Sequence, residues 1–278
     1  MSTTLVICFI LLSYINFGST FTHYGNRKGY SAVPQNIRKS AFVIYLSNNN
    51  IQTVTEYDFT GFASLHTVNL KDNSIGNISQ NSFQGSPVRK LYLSNNPLRF
   101  FPNLVNLKHN LTYLELSSCS IANMSANFVI DYDKLDTLIL DSNPIGSLPN
   151  MTKFEDKLVK LDLSNCALTA IPSLYFEGFS ALISLDLAEN KFVNLTAFAF
   201  TGLHSLKFLA LAKNKLLENI DPKAFPGLVQ LISFNMLYQE LLKNAPILKN
   251  STKLLTLRVT NTKFAILPTD FMTHMKGE

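Results

Sequence analysis

The residues of this chain that could do chemistry are few. Three cysteines occur in 278 residues, and two of them, Cys119 and Cys166, sit in near-parallel stretches, YLELSSCSIANM and KLDLSNCALTAIP. Such a pair could be a disulfide, a metal site or a nucleophile, depending on what stands beside it. The histidines His23, His66, His109, His204 and His274 lie far apart, and none has a cysteine or acid at metal-ligand or triad spacing. Gly-rich phosphate loops of the GxxxxGK or GxGxxG kind are absent. These residues predict no catalysis, no bound metal and no cofactor.

The elements that position them are repeats. Aligning LDTLILDSNPI (135–145), LVKLDLSNCAL (158–168), LISLDLAENKF (182–192) and LKFLALAKNKL (206–216) puts apolar residues at slots 1, 4, 6 and 11 and Asn or Cys at slot 9. Upstream the frame extends through AFVIYLSNNNI, LHTVNLKDNSI, VRKLYLSNNPL and LTYLELSSCSI; downstream, through LISFNMLYQEL and LLTLRVTNTKF. Ten units result, starting near 41, 65, 88, 111, 135, 158, 182, 206, 231 and 254, with a period of 23 to 25 residues.

This pattern resembles the leucine-rich repeat, LxxLxLxx(N/C)xL, over nearly everything from residue 41 onward. The predicted fold is an α/β repeat solenoid. It is a leucine-rich repeat horseshoe with a parallel β-sheet on the concave face and loops, 3-10 turns or short helices on the convex side. Leucines at slots 4 and 6 have the period-2 spacing of a strand with one buried face, and stacking sets these strands side by side. Phe59, Phe83, Phe176 and Phe200, each ten residues past slot 9, and Phe225, eleven past Asn214, predict a second apolar row on the return side. That Phe-bearing return looks like the class found in animal extracellular proteins.

Slot 9 is where the strand ends and backbone groups turn inside the stack, so they need partners there. Asn49, Asn73, Asn96, Asn143, Asn190 and Asn214 are predicted to form a structural ladder, each offering a donor and an acceptor. Cys119 and Cys166 occupy the same slot two units apart. Strands spaced by about 4.8 Å put such positions near 9.6 Å apart, beyond the roughly 7 Å that a disulfide spans between Cα atoms. No disulfide is expected, and the two thiols stand in for ladder asparagines. Gln239 and Thr262 in the ninth and tenth units put the regularity of the ladder there in question.

Residues 1–20, MSTTLVICFILLSYINFGST, have the layout of a secretory signal peptide, with an apolar run too short to span a bilayer. Residues 21–40 resemble a cysteine-free version of the N-terminal flanking cap of extracellular leucine-rich repeat proteins, and 41–278 hold the ten repeats. No C-terminal cap follows in the sequence, so the expectation is either a partly open last unit or a truncated chain. No later stretch is long and apolar enough for a membrane span. The 24 basic residues against 19 acidic ones are scattered singly, which argues against nucleic acid as a partner.

Six sequons mark Asn77, Asn110, Asn123, Asn150, Asn194 and Asn250 as candidate glycosylation sites, and none falls in an outward strand slot of the concave face. Asn77, Asn123 and Asn194 share one position, four residues past slot 9. Slots 3, 5 and 7 supply the candidate ligand-binding residues. Tyr45, Tyr92 and Tyr113 come first, an acidic column of Glu115, Asp141, Asp162 and Asp186 follows, and Phe208 comes later. Aromatic groups beside charges are the usual make-up of a protein recognition surface. The expectation is a secreted, glycosylated binding protein for an extracellular protein, peptide or glycan, in adhesion, matrix or innate-immune recognition. The alternative is a truncated N-terminal ectodomain of a Toll-like or other transmembrane leucine-rich repeat receptor. Oligomeric state is not legible.

Overall fold

Short apolar-polar alternations spaced a repeat apart can bury their leucines only by pairing with one another, and that is what they do. The computed structural model describes residues 21–122, 124, 132–260 and 262; the predicted signal segment 1–20, Asn123, His274 and most of the last unit beyond Thr260 lie outside them. One parallel sheet of eleven strands runs in chain order. Its strands are Phe21–Tyr24, Ala41–Tyr45, Thr67–Asn69, Lys90–Tyr92, Tyr113–Glu115, Thr137–Ile139, Lys160–Asp162, Ser184–Asp186, Phe208–Ala210, Ser233–Asn235 and Thr256–Arg258. Ten of them fall on slots 3 to 5 of the repeat frame. The first is an addition from the flanking segment, paired with the strand that follows it; the register shifts between Phe21 and Thr22, after which Tyr24 lies beside Tyr45.

Slot 4 points inward: Ile44, Val68, Leu91, Leu114, Leu138, Leu161, Leu185, Leu209 and Phe234 are all buried in the first nine units, and Leu257 of the tenth is partly buried against the core. Burying such a side chain stabilises the fold by about 1.5–3 kcal/mol, and the rows at slots 1 and 6 repeat the gain. On the return side Phe59 stacks on Phe83 at 5.1 Å between ring centroids, Phe176 on Phe200 at 6.2 Å and Phe200 on Phe225 at 4.9 Å. The convex side is mostly turns, with one 3-10 helix, Val105–Leu107, among the described residues. Two small ribbons pair Thr53–Val54 with Asn77–Ile78 and Asn194–Leu195 with Asn219–Ile220.

The turn after each strand uses the left-handed region at slot 8. Asn48, Asp72, Asn95, Ser118, Ser142, Asn165, Glu189, Lys213 and Tyr238 have φ between 51° and 60°. Asn and Asp tolerate that conformation, whereas it costs other side chains roughly 1–2 kcal/mol. The turn then exposes backbone to the slot-9 residue of the next rung. Asn143 Nδ2 donates to Leu116 O and Leu140 O, both at 2.8 Å, and its Oδ1 accepts the N–H groups of Cys119 and Ile121 at 2.9 Å. Asn190 does the same for Leu163, Leu187, Cys166 and Leu168.

Cysteine rungs follow a different rule. Cys119 Sγ donates to Leu93 O and Cys166 Sγ to Leu140 O, each at 3.3 Å, but a thiol has no carboxamide oxygen to offer the rung before it. In both cases that preceding rung carries Asn-Pro, at Asn96–Pro97 and Asn143–Pro144. Its slot-11 N–H turns back onto its own slot-9 carbonyl, Leu98 N to Asn96 O at 2.9 Å and Ile145 N to Asn143 O at 2.8 Å. Proline's fixed φ suits the centre of this three-residue turn. Both thiols are free and buried, and burial pushes each up to about 12, so they remain protonated at neutral pH.

The predicted slot-11 leucine of the eighth unit needs correcting. Leu216 is 47% exposed and Leu217 is fully buried. A turn closed by Leu217 N to Asn214 O at 2.9 Å takes up one extra residue, which also explains why Phe225 lies eleven residues past Asn214. The ninth unit repeats the shift, with Leu242 buried in place of Leu241. Beside these turns the ladder loses partners: Asn214 Oδ1 and Gln239 Oε1 are buried without a hydrogen bond among the described residues.

Candidate functional site

Because side chains alternate along a strand, slots 3 and 5 face away from the leucine core and form two rows across the concave sheet. The slot-5 row reads Tyr45, Asn69, Tyr92, Glu115, Ile139, Asp162, Asp186, Ala210, Asn235 and Arg258, with Tyr24 added at its start. Its first half carries two tyrosine pairs, the second of which belongs to a hydrogen-bonded cluster. Tyr24 stacks on Tyr45 with ring centroids 5.6 Å apart, and Tyr92 packs on Tyr113 at 4.9 Å. Glu115 takes three donors: Lys71 Nζ at 2.5 Å, Ser94 Oγ at 2.8 Å and Tyr113 Oη at 3.0 Å. The Lys71 ammonium also lies 5.4 Å from the Tyr92 ring centre. Burial opposes ionisation of Glu115, but these donors outweigh it and hold the carboxyl below its usual value. The Tyr113 hydroxyl is pushed up, first by burial and then by Glu115, so it stays a donor.

Ile139, buried at slot 5, separates this cluster from the acidic residues. Beyond it Asp162 and Asp186 are direct neighbours in register, with Asp141 two residues past Ile139. Their partners are neutral. Asp141 accepts from the Ser117 and Ser142 hydroxyls, Asp162 from the Ser164 N–H at 3.0 Å and its hydroxyl at 2.7 Å, and Asp186 from the Ala188 N–H at 2.9 Å. None of the three forms an ion pair among the described residues. Burial raises the Asp186 pKa, repulsion from Asp162 and Asp141 adds to it, and the Ala188 N–H and Lys160 oppose the shift. Phe208 stands at slot 3 of a later strand, 47% exposed and away from the tyrosines.

A second concavity lies on the turn edge of the sixth to ninth units. A groove of about 700 Å³ is lined by Glu189, Lys191, Lys213, Lys215, Leu216 and Tyr238 among others. Lys213 Nζ pairs with Glu189 Oε1 at 2.8 Å. Among the described residues slot 8 carries the unfavourable left-handed residues Glu, Lys and Tyr only here, and Leu216 is the residue the extra turn pushes out. The sequence signal for it was the 25-residue period of the eighth unit.

Of the sequons, Asn77, Asn150, Asn194 and Asn250 are exposed, Asn110 is half-buried and Asn123 lies outside the described residues. His109 and Asp133, from adjacent units, meet through Nδ1 and Oδ2, a pairing that sequence spacing did not show. The hydrogen bond from His109 lowers the Asp133 pKa. Among the described residues no group of three or more His, Cys, Asp or Glu could hold a metal ion, and no helix is long and apolar enough to cross a membrane.

Comparison with known proteins agrees with the architecture. The family model described as leucine rich repeat matches residues 42–98 and 156–216. A chain of the glycosylated Toll–Spatzle complex, described as a molecular hub in Drosophila development and innate immunity, superposes with a TM-score of 0.72 at 22% identity. The match covers 85% of this chain and 34% of that one, so this chain spans about a third of its length. With eleven parallel strands, a repeating leucine core and these matches, the chain folds as a leucine-rich repeat solenoid, similar in fold to that chain of the Toll–Spatzle complex.

Proposed function

We propose that this protein is an exported, non-catalytic recognition module that binds an extracellular protein or peptide through its concave sheet. The observation that carries the proposal is the juxtaposition on one face of a preorganised tyrosine cluster and three carboxylates that form no ion pair among the described residues. Rigid aromatic side chains supply affinity at small entropic cost, while uncompensated charge steers and orients a basic partner. Candidate glycosylation sites on the turns and return segments, away from slots 3 and 5, leave that face open. The Toll–Spatzle complex supports a protein ligand by likeness. The same likeness favours a second reading, in which these repeats belong to a receptor ectodomain; sequencing the transcript beyond Glu278 distinguishes the two.

The test is affinity capture from extracellular fluid, identification of the partner, and comparison with a variant carrying Tyr92→Ala, Tyr113→Ala and Asp162→Asn. Hot-spot loss of about 2 kcal/mol or more predicts at least a thirtyfold weaker Kd. Equal affinity with the fold intact removes the concave face from the account.

A further inference from the structure

An exposed aromatic ring stands beside the sequon of the second unit. Phe100 is the thirteenth residue of the third unit and Asn77 the thirteenth of the second, and equivalent positions of adjacent rungs lie about 4.8 Å apart. Phe101 is fully buried, yet Phe100 is 60% exposed, so the core does not account for it. Asn77 is held in the ribbon opposite Thr53, with Gly76 N bonded to Gln52 O at 3.0 Å and Ser79 N to Val54 O at 2.9 Å. Its own side chain is exposed and makes no hydrogen bond among the described residues. By contrast, Asn194 accepts from Asn219 Nδ2 at 3.1 Å and Asn250 donates to Pro226 O at 3.0 Å.

Between the two rungs lies a groove of about 430 Å³, lined by Asn77, Ser79, Gln80, Phe100 and Asn103 among others. Its far rim is braced: Asn103 Nδ2 donates to Gln80 Oε1 at 3.2 Å, and Asn106 Nδ2 to Gln80 O at 2.7 Å. An aromatic wall, an amide rim and an acceptor asparagine at the lip suit a sugar attached to that asparagine. The C–H face of the sugar meets the ring, and its hydroxyls and acetamide meet the amides.

We propose that Asn77 carries an N-linked glycan whose first N-acetylglucosamine is seated in this groove against Phe100. The linkage forms when Asn77 Nδ2 bonds to the sugar's C1 from a lipid-linked oligosaccharide diphosphate. The C1–O bond breaks, the diphosphate leaves, and Nδ2 gives up one proton. The inference rests on the export of the chain, not on what the concave sheet binds.

The experiment uses the full chain secreted under its own leader from a eukaryotic cell. Site-resolved mass spectrometry follows glycan release by an amidase acting on the native protein. Asn77 is occupied and released roughly fivefold more slowly than Asn194, as one aromatic contact predicts; Phe100→Ala removes the difference and Phe100→Tyr restores it. Occupancy at Asn194 with none at Asn77, or an unchanged release rate in Phe100→Ala, overturns the proposal. Secreted protein with no occupied sequon, or no secretion, overturns it together with the export it rests on. Because Phe100 is exposed, its substitution leaves the melting curve of the unglycosylated protein in place.

Discussion

Glu115 and Asp186 occupy the same outward slot of the concave sheet, three rungs apart, and their surroundings push them in opposite directions. Glu115 is saturated by Lys71, Ser94 and Tyr113, and ionises more readily than a free carboxyl. Asp186 has one backbone donor, burial and two acidic neighbours, and ionises less readily. The difference is one of partners, since both are partly buried on one scaffold. The tyrosine end is internally neutralised and preorganised; beyond Ile139 no ion pair among the described residues neutralises the aspartates.

Breaking the acidic region should have the largest effect. Replacing Asp141, Asp162 and Asp186 together with Asn should lower the association rate with a basic partner by about tenfold or more at low salt, with a flatter salt dependence. Glu115→Gln should leave the association rate within about twofold, because Lys71 already cancels its charge at the surface. Surface plasmon resonance at two ionic strengths checks both.

Stability sharpens the same contrast. The depressed pKa of Glu115 contributes stability that is present above its unfolded value, near pH 4, and is lost as pH falls through its folded value. The raised pKa of Asp186 works the other way: the contribution is present below about pH 4 and is lost as pH rises through the folded value. At pH 7, Glu115→Gln should lower Tm by roughly 3 °C, and Asp186→Asn should raise it by about 1–2 °C. At pH 3 both differences should shrink. Thermal melts across that range read the signs directly.

The smallest effect is local. Lys71→Met should move the Glu115 titration upward while leaving Asp186 unchanged, since Lys71 touches only the tyrosine cluster. Carboxyl carbon chemical shifts followed against pH separate the two groups.

Much of this scaffold was legible in the leucine frame, because slots 1, 4 and 6 must be apolar in every rung for the stack to close. The strand Phe21–Tyr24 was not, since four residues without a slot-9 partner carry no repeat signal. Leu216 and Leu217 form an apolar doublet, and only the extra turn decides which of them is buried. Slot spacing alone identifies the cysteines as stand-ins for asparagine, but their dependence on Asn96–Pro97 and Asn143–Pro144 appears only when adjacent rungs are laid together. On the concave face the tyrosines and aspartates could be placed from spacing. Lys71 meets Glu115 from two units away, and Ile139 divides the face from a slot where no residue type is required.

If tyrosines hold the partner while aspartates bring it in, the split of association and dissociation rates shows it most directly. With the captured partner immobilised, Tyr92→Ala with Tyr113→Ala should raise the dissociation rate by about tenfold or more and leave association nearly unchanged. Asp162→Asn with Asp186→Asn should do the reverse. Unchanged rates in both variants, with folded protein, would contradict the account.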